Sequence, residues 1–136
     1  MKLRTALVSL ALASALVLAA CGGESESDEA AEQTATPAQA RAEIGEVRKA
    51  LDTAVAEVKE GDAKAADNAV AEGYLQHFEK VEGPLEKVDE ELNEKLEDSI
   101  REDLRETIQD GGSLAVVTQK VDAIKADLAT AEQKLQ

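Results

Sequence analysis

Past residue 37 the chain places its apolar residues with a helical period. Ile44, Val47, Leu51, Val55 and Val58 recur at three- and four-residue steps, which lays one apolar stripe along a helix from 38 to about 60. Gly61-Asp62 ends that helix, because glycine accepts a left-handed terminating conformation, and Asp62 caps the next. A second stripe of Ala66, Val70, Tyr74, Phe78 and Val81 predicts a helix over 63–82. Gly83-Pro84 is expected to kink or end it, since proline lacks a backbone donor and clashes with the preceding turn. In the third stripe Leu92, Leu96, Ile100, Leu104 and Ile108 step by four every time. At 3.6 residues per turn such a stripe drifts by about 40° per step, so a helix over 89–109 is expected to cross or wrap its neighbours. Asp110-Gly111-Gly112-Ser113 reads as a turn ending in an N-cap. Leu114, Val117, Val121, Ile124, Leu128, Ala131 and Leu135 then alternate steps of three and four, a heptad seam. Four helices joined by short turns predict an all-α, antiparallel four-helix bundle over 38–136.

The first 37 residues follow a different pattern. Lys2 and Arg4 precede an uncharged, largely apolar run from Thr5 to Ala20, too short for a membrane span of about 20 residues but laid out like a secretory signal. Leu18-Ala19-Ala20-Cys21 resembles a bacterial lipobox, in which the cysteine is lipidated and becomes the first mature residue. Residues 1–20 are therefore read as a lipoprotein signal peptide and Cys21 as the site of acylation. Several acyl chains on one cysteine hold a protein firmly to a bilayer, at about 0.8 kcal/mol per buried methylene. The expected location is the cell envelope, on the outer side of a bacterial membrane. Gly22 after Cys21 does not match the aspartate of the inner-membrane retention signal, which leaves both the inner and the outer membrane open. Residues 22–37 have no large apolar side chain and read as a disordered acidic linker spanning roughly 20–25 Å.

Charge narrows the functional classes. The chain has 15 Lys and Arg against 29 Asp and Glu, a net charge of −14, and loss of the signal with Lys2 and Arg4 makes the mature protein two charges more negative. Such a surface repels phosphate backbones, so nucleic acid is not an expected partner, and it suits cations or a basic protein. Cys21 is the only cysteine. Once it is lipidated, no disulfide, zinc finger or thiol nucleophile remains. The absence of soft sulfur ligands also disfavours copper(I). No phosphate loop, Ser-His-Asp arrangement or cofactor fingerprint occurs. The single histidine cannot supply the paired Glu-x-x-His repeats of a di-iron bundle. No enzyme activity is expected.

The only Tyr, His and Phe fall together in Tyr74-Leu75-Gln76-His77-Phe78-Glu79-Lys80-Val81-Glu82, followed by Gly83-Pro84-Leu85. Tyr74 and Phe78, four apart, share a helix face and anchor a core as readily as they build a site. Glu79, Glu82 and Glu86 crowd carboxylates at three- and four-residue steps, although a solvated helix tolerates that at about 0.2–0.5 kcal/mol per pair. Carboxylate and phenolate oxygens suit a hard cation, and His77 adds an imidazole. On a helical wheel Glu82 flanks the apolar stripe while Glu79 points nearly opposite it. The pairs Glu90-Glu91, Glu97-Asp98 and Glu102-Asp103 read as solvated faces.

The order Tyr-Leu-x-x-Phe-Glu-x-x-Glu before a proline and a helical hairpin resembles the extracytoplasmic helical domain of bacterial high-affinity iron permeases. The resemblance extends from about 41 to 135, including the break at Gly61-Asp62 and the closing Ala131-Glu132. It departs from the family in having none of the permease's membrane spans. Arg101-Glu102-Asp103-Leu104-Arg105 ends in arginine where the permease motif Arg-Glu-x-x-Glu ends in glutamate, and Gly73 stands where alanine is expected. The resemblance implies a free-standing, lipid-anchored iron-binding accessory of an iron uptake system. It would hold iron, ferrous or ferric, through Glu79, Glu82, His77 and Tyr74, and serve an iron permease or iron oxidase. The alternative is an adaptor lipoprotein without metal, its acidic bundle docking a basic envelope partner.

Overall fold

The computed structural model describes residues 35–136; the signal peptide, Cys21 and nearly all of the linker lie outside the described residues. The described chain is all-helical, with four helices. Helix α1 is Pro37–Glu60, capped by Thr36, whose side chain accepts from the backbone N–H of Gln39 while Gln39 returns the bond. It closes on Gly61 at φ 85°. Helix α2 covers residues 63–86, built from α-helical Ala63–Gly73, a π-helical turn at Tyr74–Phe78 and α-helical Glu79–Glu86, with Asp62 as its N-cap. Helix α3 covers residues 90–109 in the same manner, with Asp89 as N-cap and a π segment at Ser99–Leu104. Helix α4 is Leu114–Lys134, capped by Ser113.

The structure bears on two of these expectations. Helix α2 does not stop at Gly83-Pro84 but runs on to Glu86, with Pro84 inside it. Val81, Pro84 and Leu85 are all buried, and that burial holds the last turn in place despite the missing proline donor. The four-residue stepping of α3 is absorbed within the helix. A π turn, with i→i+5 hydrogen bonds, holds one residue more than an α turn, so it resets a stripe that drifts. Leu96, Ile100, Leu104 and Ile108 are each at most 1% exposed. Helix α2 has the same stepping at Ala66, Val70, Tyr74 and Phe78, and its π turn lies there. Neither α1 nor α4, whose buried residues alternate steps of three and four, contains a π turn.

One core joins the four helices, from Ala40, Ile44, Val47, Leu51 and Ala54 on α1 to Val117, Val121, Ile124, Leu128 and Ala131 on α4, with Leu135 just beyond. Val55 and Val58 pack at its margin, and Leu114, placed in the seam by its spacing, is 39% exposed at the first position of α4. Polar pairs give the order of contact between neighbours. Arg41 donates to the Leu135 carbonyl, Arg48 pairs with Glu132 and Lys125 with Asp52, so partners on α4 fall in number as those on α1 rise. Lys134–Asp89, Lys95–Asp127 and Lys120–Asp103 order α3 and α4 in the same sense.

Helices α1 and α2 come into close contact at Gly73. A Cβ added there would lie 2.6 Å from the Ala50 Cβ, and neither atom belongs to a flexible side chain. The glycine that departs from the expected alanine thus sets an interhelical distance. Overpacking costs about 1–3 kcal/mol, against about 1 kcal/mol gained in helix propensity over glycine. Gly73→Ala is expected to lower stability by a net ~0–2 kcal/mol in urea denaturation, and adding Ala50→Gly should relieve the close contact. A gain in stability in the single variant would contradict this packing.

Candidate functional site

The π turn at Tyr74–Phe78 contains Tyr74 and His77, and Glu79 and Glu82 follow it in α-helical Glu79–Glu86. Phe78 is fully buried, and Tyr74 is 8% exposed with its ring centroid 5.8 Å from that of Phe78. The Tyr74 ring is thus core, as aromatic pairs at this spacing usually are, while its hydroxyl reaches the seam between α2 and α3. There it donates to Glu82 Oε1 at 2.7 Å, and Glu97 Oε1 lies 3.4 Å away as a second, weaker acceptor. Two carboxylates from different helices therefore lie within reach of one phenolic oxygen. Arg101, one turn beyond Glu97, donates to the same Glu97 Oε1 at 2.8 Å.

His77 faces the other way. Its Nδ1 is 2.6 Å from Glu43 Oε2 on α1, and Lys80 donates to Glu43 Oε1 at 3.1 Å. His77 also borders an open groove of about 220 Å³ between α1 and α2, floored by Ala50, Ala69 and Gly73. Glu79 is exposed. The structure therefore brings Tyr74 and Glu82 together, gives His77 to Glu43, and leaves Glu79 exposed. Glu97, read from the sequence as part of a solvated pair, is the partner that spacing missed. Its pairing with Arg101 at i,i+4 is visible in the sequence, but its approach to Tyr74 crosses helices and has no local signature.

The electrostatics differ at the two clusters. Burial, then the hydrogen bond to Glu82, pushes the Tyr74 phenol well above its ordinary range, so it is a neutral donor. Burial raises Glu82, and the charges of Glu97 and Glu79 add to that, while the Tyr74 hydrogen bond works against it. Glu43 is lowered, chiefly by its hydrogen bond with His77. Asp67, held by Arg105 at 2.8 and 3.2 Å and by Gln109, is lowered in the same manner.

Among the described residues, no three His, Cys, Asp or Glu side chains are grouped to hold a metal ion. Tyr74, Glu82 and Glu97 bring together three oxygen groups, one a neutral phenol and two carboxylates, the donor type that hard cations prefer. Asn93 lies one turn before Glu97 on the same face of α3. It is 8% exposed, and its buried Oδ1 has no hydrogen-bond partner. No protein-family model, curated protein or solved structure matches the chain.

Tyr74→Phe keeps the ring and removes the donor from Glu82. Because Glu82 is already raised, its charged form weighs on the fold increasingly as pH rises through its titration, and the tyrosine relieves part of that. The variant is expected to lose about 1 kcal/mol near neutral pH, less than for a fully buried charge because Glu82 is half-exposed. The loss should shrink as pH falls and Glu82 takes up its proton. Urea melts across that range measure it; a loss that grows toward acid would contradict the assignment.

Proposed function

We propose that this chain is a lipid-anchored envelope protein that binds iron outside the membrane and passes it to an iron permease or iron oxidase. The observation that carries the reading is the Tyr74–Glu82–Glu97 cluster, a phenol and two carboxylates from two helices turned toward one another. Iron is the cargo here, bound by hard oxygen donors and released to a partner, which suits a site completed by water more than a closed cage. The ordered ion pairs between neighbouring helices support an antiparallel four-helix bundle as its frame. Among the described residues no helix is long and apolar enough to cross a membrane, so attachment in this reading rests on Cys21. His77 and Glu79 stand outside the inner ligand set, His77 because Glu43 engages it and Glu79 because it is exposed.

A second reading, an adaptor without metal, draws on the outer face of α3. Glu90, Glu91, Glu94, Asp98, Glu102 and Glu106 are all exposed, and none forms an ion pair among the described residues. That face would attract a basic protein partner and release it as salt rises.

Tyr74 is the only tyrosine and there is no tryptophan, so its fluorescence reports on the site without background. Titrating the purified full chain with ferrous iron under anaerobic conditions is expected to change that signal with one ion per chain. Glu82→Gln with Glu97→Gln should weaken binding at least tenfold, while Glu79→Gln should have a smaller effect. Binding untouched by the double variant would remove the site, and absence of binding would leave the adaptor reading. For the anchor, Cys21→Ser is expected to abolish palmitate labelling and shift the protein out of the detergent phase; unchanged partitioning would contradict it.

A further inference from the structure

We infer that the first half of α3, Glu90–Asp98, is a separately unfolding unit of the bundle. It opens between two pivots, the turn at Lys87-Val88 and the π segment Ser99–Leu104, while α1, α2 and α4 stay packed. The opening belongs to the frame and does not depend on what the Tyr74 cluster binds.

Hydrophobic burial keeps a helix on a bundle, and this segment has little of it. Of its nine residues only Leu96 is a fully buried apolar side chain, with Leu92 packed at the margin of the core. The other buried position holds Asn93, whose Oδ1 has no hydrogen-bond partner. A buried carbonyl oxygen without a donor loses its water on closing and gains no bond in exchange, so it favours the open form. The second half of α3 differs. Ile100, Leu104 and Ile108 are each at most 1% exposed, and Arg105 holds Asp67 on α2 through two bonds, with Gln109 adding a third.

Charge acts in the same direction from outside. Glu90, Glu94, Asp98, Glu102 and Glu106 each stand two residues before a member of the buried stripe, which puts them on the opposite face of the helix. All five are exposed, and none forms an ion pair among the described residues. Like charges at four-residue steps repel along a helix. The three steps that touch Glu90–Asp98 shift it toward opening by roughly threefold to tenfold. Its ties to α4 are Lys134–Asp89 at the cap and Lys95–Asp127, each made by a lysine about half-exposed or more, and such pairs are weak. Opening also parts Glu97 from the Tyr74 hydroxyl, whereas Glu82 keeps its bond, so the contact across the two helices exists only in the closed form.

Native-state hydrogen exchange on the purified full chain, read amide by amide by NMR, tests this. Glu97 lies as far into α3 as Ile44, Val70 and Val121 lie into α1, α2 and α4, so fraying from the helix start is matched. After correction for intrinsic rates, Leu96 and Glu97 are expected to exchange at least about tenfold faster than those three. Glu94→Gln removes two repulsive steps and should slow exchange at Leu96 and Glu97 by about twofold to fivefold. Glu106→Gln, in the same column but outside the unit, should leave it unchanged. Asn93→Leu should slow it about fivefold or more. Protection at Leu96 and Glu97 equal to that at Ile44, Val70 and Val121 would overturn the separate unit. So would exchange there that Glu94→Gln leaves unchanged, or that Glu106→Gln slows as much.

Discussion

The arrangement depends on a mismatch between two periods. An α-helix turns every 3.6 residues, yet the buried residues of α2 and α3 recur at steps of four through Ala66, Val70, Tyr74 and Phe78, and through Leu96, Ile100, Leu104 and Ile108. A straight α-helix would carry such a stripe off the core within a few turns. Burial of these side chains, worth about 1.5–3 kcal/mol for each large one, favours a widened turn in each helix over a stripe that wanders into solvent. The two π turns are the local consequence, and π turns are found frequently at functional sites. One of them holds Tyr74 with its ring in the core and its hydroxyl at the seam. The other begins two residues after Glu97 and contains Arg101.

Much of the fold was legible because its signals are local. Gly61 closes α1 in the left-handed region, Asp62 and Ser113 accept from the backbone of the helices they precede, and the core of α4 alternates as its sequence does. Gly83-Pro84 left a kink and an end both open, and the helix does not end there. A proline breaks a helix when nothing opposes it, and here the burial of Pro84 and Leu85 opposes it. Gly73 was legible as an oddity, but its reason, the Ala50 methyl of another helix, was not. The site divides in the same way. Tyr74 and Glu82, eight apart on one helix, could be named in advance, whereas Glu97 and Glu43 enter only through the packing of neighbouring helices. The family resemblance singled out a stretch of α2, but only the packing shows that Tyr74 meets Glu82 while His77 turns to Glu43.

Charge then separates the two sides of that stretch. Toward α1, His77 and Lys80 satisfy Glu43 and lower it, a closed ionic contact that clamps two helices. Toward α3, Glu82 accepts from the Tyr74 phenol, Glu97 accepts from the exposed Arg101 guanidinium, and burial raises Glu82.

The most direct measurement of the central claim is a crystal structure of the protein grown with ferrous iron, with anomalous scattering collected at the iron edge. The account predicts one strong peak between Glu82 and Glu97, within coordination distance of both. A peak at another position, or none while Tyr74 still caps Glu82 and Arg101 still holds Glu97, would contradict it.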